Sequence, residues 1–281
     1  MQMNSLRAFI YKSIPKSWRK NLGGSKLLKP IRDSFFRTRS GFRELQVPIL
    51  KKYGTYKVKF QFVGSIQIAS KAKERGIETT LLRNTLALLK AQKNRPTNDY
   101  IIADVGTNFG FLSLVWANSV CQQGKVYSFE PHPTIFKSFK KAIALNNLEA
   151  IITANNVAVG KEEGSVSISL ASTTSNTKKG EVTDVQLKET TTVPMICLDH
   201  YFKEMDRLDL IKIDVDGIEL QILQGASSIL DKLRPIVVVE MNGDKAICNY
   251  LQQKRYTLLD MNLKAFDLKE TLPLNIFCIP N

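Results

Sequence analysis

Histidine is nearly missing from this 281-residue chain, which has only His132 and His200. Cysteine is sparse as well: Cys121, Cys197, Cys248 and Cys278 lie far apart, with no C-x-x-C or Cys/His spacing. That excludes the usual zinc patterns and leaves free thiols, buried in a reducing compartment, as the expectation. No apolar run approaches the roughly 18 residues of a membrane span. Near the N-terminus only Ala8–Tyr11 is apolar, too short a run for the core of a secretory signal. The chain therefore reads as cytoplasmic, with a peripheral place on the inner face of the membrane left open.

What is abundant is positive charge, and it is unevenly spread. The net charge is +14, of which residues 1–60 carry +13 and the rest only +1. The basicity belongs to an N-terminal extension, so it says little about the main domain. Such an arm suits an anionic membrane, nucleic acid or an acidic glycan, or is simply a solvated tail. Within residues 1–50, Leu6, Phe9, Ile10, Trp18 and Leu22 fall near one helical face between lysines and arginines, and Pro15 interrupts the helix. A basic amphipathic segment of this kind lies on a membrane surface or docks on its own domain.

The chain divides into residues 1–52, the basic extension; 53–99, a flanking strand/helix region; and 100–281, the main domain. In the flank, Val58, Phe60 and Phe62 alternate with polar residues as in a half-buried strand. Leu81, Leu82, Leu86 and Leu89 then recur at helical spacing, so this region is expected to pack as a lid or flank. From residue 100, apolar strands alternate with helices. Strands are expected over 100–105, 125–129, 208–215, 235–241, 256–259 and 275–279, and another within 150–159. Helices are expected over 109–120, 133–146, 218–233 and 244–253. This rhythm predicts an α/β fold, a mostly parallel sheet covered on both faces. Val166–Leu170 and Val193–Cys197 read as two further strands joined by the polar stretch Ser172–Thr192, a long loop of the kind that often serves a site.

Asp104-Val105-Gly106-Thr107-Asn108-Phe109-Gly110 follows a strand and opens a helix. Glycine there permits positive φ and close approach to a ligand, at the strand ends where open α/β sheets bind ligands. Glu130 ends the next strand, 20 residues after Gly110, where an acid can accept hydrogen bonds from both ribose hydroxyls of an adenosine. The dinucleotide fingerprint G-x-G-x-x-G is absent, and so is the Walker pattern. Asp104 would repel a pyrophosphate but suits the ammonium of an amino-acid ligand. The pocket therefore favours S-adenosylmethionine over NAD.

Further segments follow in order: Phe129-Glu130-Pro131-His132-Pro133, Asn156-Val157-Ala158-Val159-Gly160, Leu198-Asp199-His200-Tyr201, Ile211–Leu220 and Pro235–Glu240. Together with the glycine turn they resemble the FkbM family of class I methyltransferases over roughly residues 100–281. Asp216 stands where Glu is usual and Thr107 where Ala is common. The resemblance implies a Rossmann-like seven-stranded sheet, S-adenosylmethionine as donor and, usually, O-methylation of sugars, polysaccharide precursors or secondary metabolites. It places Asp104, Gly106, Asn108 and Gly110 at the methionine end, Glu130 at the ribose, and Asn156 and Val157 beside the adenine.

A hydroxyl acceptor must lose its proton, which calls for a base or a metal. Asp214, ending the strand beside the expected methyl position, is the candidate base, flanked by Lys212 and Glu219. The plainer alternative pairs Lys212 with Glu219 and makes Asp216 a helix cap. Asp214, Glu240 and Asn242 end neighbouring strands and would suit a hard cation such as Mg²⁺; polar strand ends are common in α/β sites, and no metal is expected. His132 and His200 read as structural. Two competing readings remain: an RNA methyltransferase anchored by the basic arm, and a non-catalytic cofactor-binding protein. Against RNA, the fourth strand ends in Asp-Val-Asp-Gly, not in the Asn/Asp-Pro-Pro-aromatic motif that grips a base amine.

Overall fold

A computed structural model describes residues 2–14, 36–38, 41–92, 98–170, 190–215, 217–266, 268 and 272–281. Most of the polar stretch read as a loop, and the helix cap expected of Asp216, lie outside the described residues.

The N-terminal part holds helix α1 (Gln2–Ser13) and the short strands β1 (Arg37–Thr38) and β2 (Gly41–Phe42). A long hairpin follows, β3 (Glu44–Tyr53) and β4 (Tyr56–Ser65), paired without interruption from Glu44↔Ser65 to Tyr53↔Tyr56. It starts inside the segment read from sequence as an appendage. Leu45, Val47 and Ile49 are buried in alternation, but Pro48 and the lysine pair 51–52 disguise the pattern. Pro48 is tolerated because β3 pairs only with β4 and its other edge is free of strands among the described residues. Helices α2 (Ile66–Arg75) and α3 (Thr79–Ala91) complete this flank. The Ser65 hydroxyl caps α2 by accepting from the Ile68 amide at 3.3 Å.

The main sheet is built from β5 (Ile101–Val105), β6 (Lys125–Phe129), β7 (Ile152–Asn155), β11 (Leu210–Ile213), β12 (Ile236–Glu240), β13 (Tyr256–Leu259) and β14 (Asn275–Pro280). Its order is β13-β14-β12-β11-β5-β6-β7. The five strands from β7 to β12 are parallel, and β14 enters antiparallel. The Rossmann-like, seven-stranded, mostly parallel sheet is therefore present. A smaller sheet, ordered β8-β10-β9, joins β8 (Ala158–Gly160), β9 (Gly164–Ser169) and β10 (Thr190–Cys197). Helices α4 (Phe111–Ala117), α5 (Pro133–Leu145), α6 (Leu198–Tyr201), α7 (Glu219–Gln224), α8 (Ser227–Lys232) and α9 (Lys245–Gln253) cover the sheet. The side chains of β12 from Ile236 to Val239 are all buried, as a strand covered on both faces requires.

Two apolar clusters fill the two faces. The hairpin belongs to the first: Phe60 and Phe62 meet Phe111 edge-on, with ring centroids 5.7 and 5.3 Å apart. Such contacts fix the flank over the start of α4 and bring α2 and α3 to the carboxyl ends of the central strands. The chain leaves β5 toward β6 on one side and returns to β11 on the other. That reversal makes the crevice in which open α/β sheets bind ligands.

Candidate active site

The loop after β5 has a backbone that few residues permit. Gly106, Asn108 and Gly110 have φ of +75°, +53° and +77°. A Cβ on Gly106 would lie 1.9 Å from the Asp214 carbonyl oxygen, so the turn closes on the end of β11 only because that atom is missing. A Cβ on Gly110 would strike the Phe139 ring at 2.0 Å. Gly110 does not line the pocket described below; its work is to seat α4 on α5.

Asp104 is fully buried beneath this loop. Its Oδ2 accepts from the hydroxyls of Thr107 and Ser113, each at 2.5 Å. Its Oδ1 has no hydrogen-bond partner and faces Lys212 Nζ at 3.5 Å. Glu130, also buried, accepts from the Asn108 amide at Oε2 and from the His132 amide at Oε1, both at 2.8 Å. Burial raises its carboxyl to about 7 against the lowering effect of those two amides. Each carboxylate oxygen has capacity for a second donor. The ends of β5 and β6 are thus stitched together by one carboxylate that remains open to the pocket.

Strand register decides the next group. Lys212 on β11 sits beside Asp104 on β5, so the two side chains share one face of the sheet. Its Nζ donates to the Gly106 carbonyl at 3.1 Å and pairs with Asp104 and Asp214, each at 3.5 Å. Burial pushes this ammonium down, but Asp214, Asp104 and Glu78 outweigh it and hold it cationic. For Asp214, burial raises the carboxyl, while Lys212 and hydrogen bonds with Glu240 and Lys212 bring it below the usual carboxylate range. The pairing of Lys212 with Glu219 considered from sequence is not what forms. Glu219 turns away, accepting from the Gly217 amide at 3.0 Å and from Asn242 Nδ2 at 2.9 Å.

These groups surround a cavity of about 330 Å³, within the range of about 300–1,000 Å³ usual for small-molecule sites. Of the residues singled out from sequence, Asp104, Gly106, Asn108, Glu130, Val157, Lys212 and Asp214 line it. Asn156 lies behind the lining, its Nδ2 donating to the carbonyls of Glu130 and Pro131 at 2.8 and 2.9 Å. It shapes the wall that Val157 presents. Glu219 also lies outside the lining. Asn242, offered with Asp214 and Glu240 as a cation site, is drawn toward Glu219, and no group of three His, Cys, Asp or Glu side chains among the described residues could hold a metal.

Sequence reasoning missed the outer wall, which includes Phe62, Ile68, Lys71, Ile77 and Glu78 from the flank and Ile168 from β9. No local motif marks these residues; the flank residues reach the cavity through the packing of the hairpin on α4 and α5, and Ile168 through the small sheet. His132 is buried and its imidazole is pushed down by burial, while His200 pairs with Glu163 at 2.7 Å away from the cavity.

A doubly wound sheet with a glycine turn and an acid at the next strand end has, at its switch point, the arrangement in which sheets of this class hold nucleoside-type ligands. Residues 104–259 match the methyltransferase FkbM domain, and the chain belongs to that family of methyltransferases. Methyltransferase sdnD of Sordaria araneosa is 27% identical over 181 residues, covering 52% of this chain and 68% of that protein. Methyltransferase 1 of Beauveria bassiana (strain ARSEF 2860) is 25% identical over 181 residues, covering 56% of this chain and 72% of that protein. The crystal structure of methyltransferase FkbM from Methylobacillus flagellatus KT aligns with a TM-score of 0.46 at 15% identity, over 67% of this chain and 46% of that one. The aligned part is thus less than half of that bacterial chain.

Proposed function

We propose that this chain is an S-adenosylmethionine-dependent methyltransferase that methylates a hydroxyl of a sugar, polysaccharide precursor or secondary metabolite. The observation that carries the cofactor is the Glu130 carboxylate, buried, bound to the amide of Asn108 in the glycine turn, and open to the cavity. The other groups fit. Asp104 Oδ1 is buried with no hydrogen-bond partner, and the bare Cα of Gly106 keeps the turn tight against β11. Glu130 would hold the ribose, Asp104 and the 106–108 backbone the amino-acid end, and Val157 the adenine side. When bound, the cofactor supplies a methyl group on a positively charged sulfur.

The protein's part is mainly alignment and exclusion of water. The Asp104–Lys212–Asp214 chain fixes the ends of β5 and β11 relative to each other. Phe109, Phe111, Ile77 and Ile168 enclose the cavity with apolar surface. The basic N-terminal arm is assigned a separate role, peripheral contact with anionic lipid. The test of the main reading is titration calorimetry with S-adenosylmethionine, followed by incubation with labelled cofactor and a panel of sugars, hydroxylated metabolites, lipids and RNA. Label on a hydroxyl compound is the expected result. Label on RNA alone would replace this reading, and no cofactor binding would end it.

A further inference from the structure

Glu78 lies outside the part of the chain that matches the family, yet it lines the same cavity as Lys212 and Asp214. It occupies the residue before α3 with φ and ψ both +45°, a left-handed backbone uncommon for a residue with a side chain. Glu is not among the side chains that favour capping a helix start, and the Glu78 side chain makes no capping hydrogen bond. A left-handed backbone costs stability at any residue other than glycine. Here it turns a carboxylate into the cavity from the flank, opposite the strand ends. The charged groups that line the cavity with it are Asp104, Glu130, Lys212, Asp214 and Glu240 around the strand ends and Lys71 from α2. Resting on the methyl-transfer reading above, we propose that Glu78 faces the acceptor hydroxyl and takes its proton during transfer.

Glu78 removes the hydroxyl proton as the acceptor oxygen bonds to the methyl carbon and the electron pair of the carbon–sulfur bond stays on sulfur. The products are a methyl ether, a neutral thioether and a protonated Glu78, which returns its proton to water. Asp214 is poorly suited to that task because the Lys212 ammonium, 3.5 Å away, stabilises its ionised form. Glu78 is different: it lines the cavity and is exposed overall, yet the protein around it still raises its carboxyl by desolvation, only partly offset by Lys212. A base works best with a proton affinity nearer the working pH.

The test needs no acceptor. Sinefungin is a cofactor analogue with an ammonium group in place of the methyl-bearing sulfonium, and S-adenosylhomocysteine lacks both methyl and charge. A carboxylate facing the methyl position makes the protein prefer sinefungin. Calorimetry on the full chain should show that preference, weakening as the pH is lowered and Glu78 takes up a proton. Glu78→Gln should reduce the sinefungin preference by about tenfold, the effect of one nearby charge. Its affinity for S-adenosylhomocysteine should stay near wild type, which also reports on folding. Glu78→Asp should keep part of the preference. An unchanged preference in Glu78→Gln overturns the assignment while leaving the methyltransferase reading intact. Failure of the wild type to bind either compound removes both.

Discussion

Glu130 is under two opposed demands, and they can be separated by experiment. Its carboxyl binds a proton more tightly in the folded chain than in the unfolded one, about 7 against 4.5. The folded state of the ligand-free protein therefore draws most benefit below the unfolded value. That benefit is lost as pH rises through about 7, where the buried group must ionise. Glu130→Gln removes the buried charge and should stabilise the ligand-free protein at pH 8 by up to about 3 kcal/mol, the equivalent of a shift of that size. The same change should weaken S-adenosylmethionine binding by about 1–3 kcal/mol, the scale of hydrogen bonds to a charged group. Melting curves across pH and calorimetry check the two halves. Equal affinity in the variant would show that the ribose lies elsewhere. Gly106 gives a second contrast. Gly106→Ala combines a positive φ with a Cβ placed 1.9 Å from a backbone oxygen and should cost roughly 2–4 kcal/mol. Gly54→Ala at φ +58° has nothing within 4 Å of the new carbon, and only the left-handed strain of about 1–2 kcal/mol applies. Urea denaturation of the two variants should preserve that order.

Elements were legible in the sequence where their pattern was local. The strands β5, β6 and β11 carry apolar or aromatic residues with Asp104, Glu130 and Asp214 at or just past their ends, and each lies where the alternation placed it. The expected helix over residues 218–233 is instead α7 and α8, interrupted at Gly225. A Cβ there would meet the Gly160 carbonyl oxygen at 2.5 Å, so the strand of the small sheet presses against the break. Apolar periodicity continues through that point, and only a distant partner shows why the helix stops. The break also explains the Asp199 motif. Asp199 Oδ2 and Oδ1 accept from the amides of Ser228 and Ile229, both at 2.9 Å, serving as a cap supplied to α8 from outside. Asp199→Ala should cost about 1–2 kcal/mol in a denaturation experiment, as other lost caps do. Cofactor affinity should not change, because Asp199 does not line the cavity. A variant with normal stability would show that α8 does not depend on this clamp. Glu78 lies at the opposite extreme of legibility: nothing beside it in sequence predicts Lys212, 134 positions later, as its neighbour.

At the scale of the whole molecule, the charge asymmetry and helix α1 belong to one argument. No helix among the described residues is long and apolar enough to cross a membrane. Yet α1 turns Leu6, Phe9 and Ile10 outward, 59%, 69% and 43% exposed. Their spacing puts them on one helical face. The face through Tyr11 meets the body instead, its ring 5.2 Å from that of Phe36 and edge-on. An apolar stripe directed away from the core, within a segment of net charge +13 over residues 1–60, has the two features that hold a helix on an anionic bilayer. Each basic residue near such a surface contributes about 1 kcal/mol, and each large apolar side chain that enters it about 1.5–3 kcal/mol. The full chain should therefore sediment with vesicles containing phosphatidylglycerol and much less with phosphatidylcholine alone. Salt at about 0.5 M, which shortens the screening length to a few ångströms, should release most of it. Replacing Leu6, Phe9 and Ile10 together by serine should weaken binding at low salt without altering cofactor affinity, since the stripe is apart from the cavity. If the triple variant sediments as the wild type does, the stripe does not enter the bilayer. If phosphatidylcholine alone serves equally well, the charge of the arm has no part in the attachment.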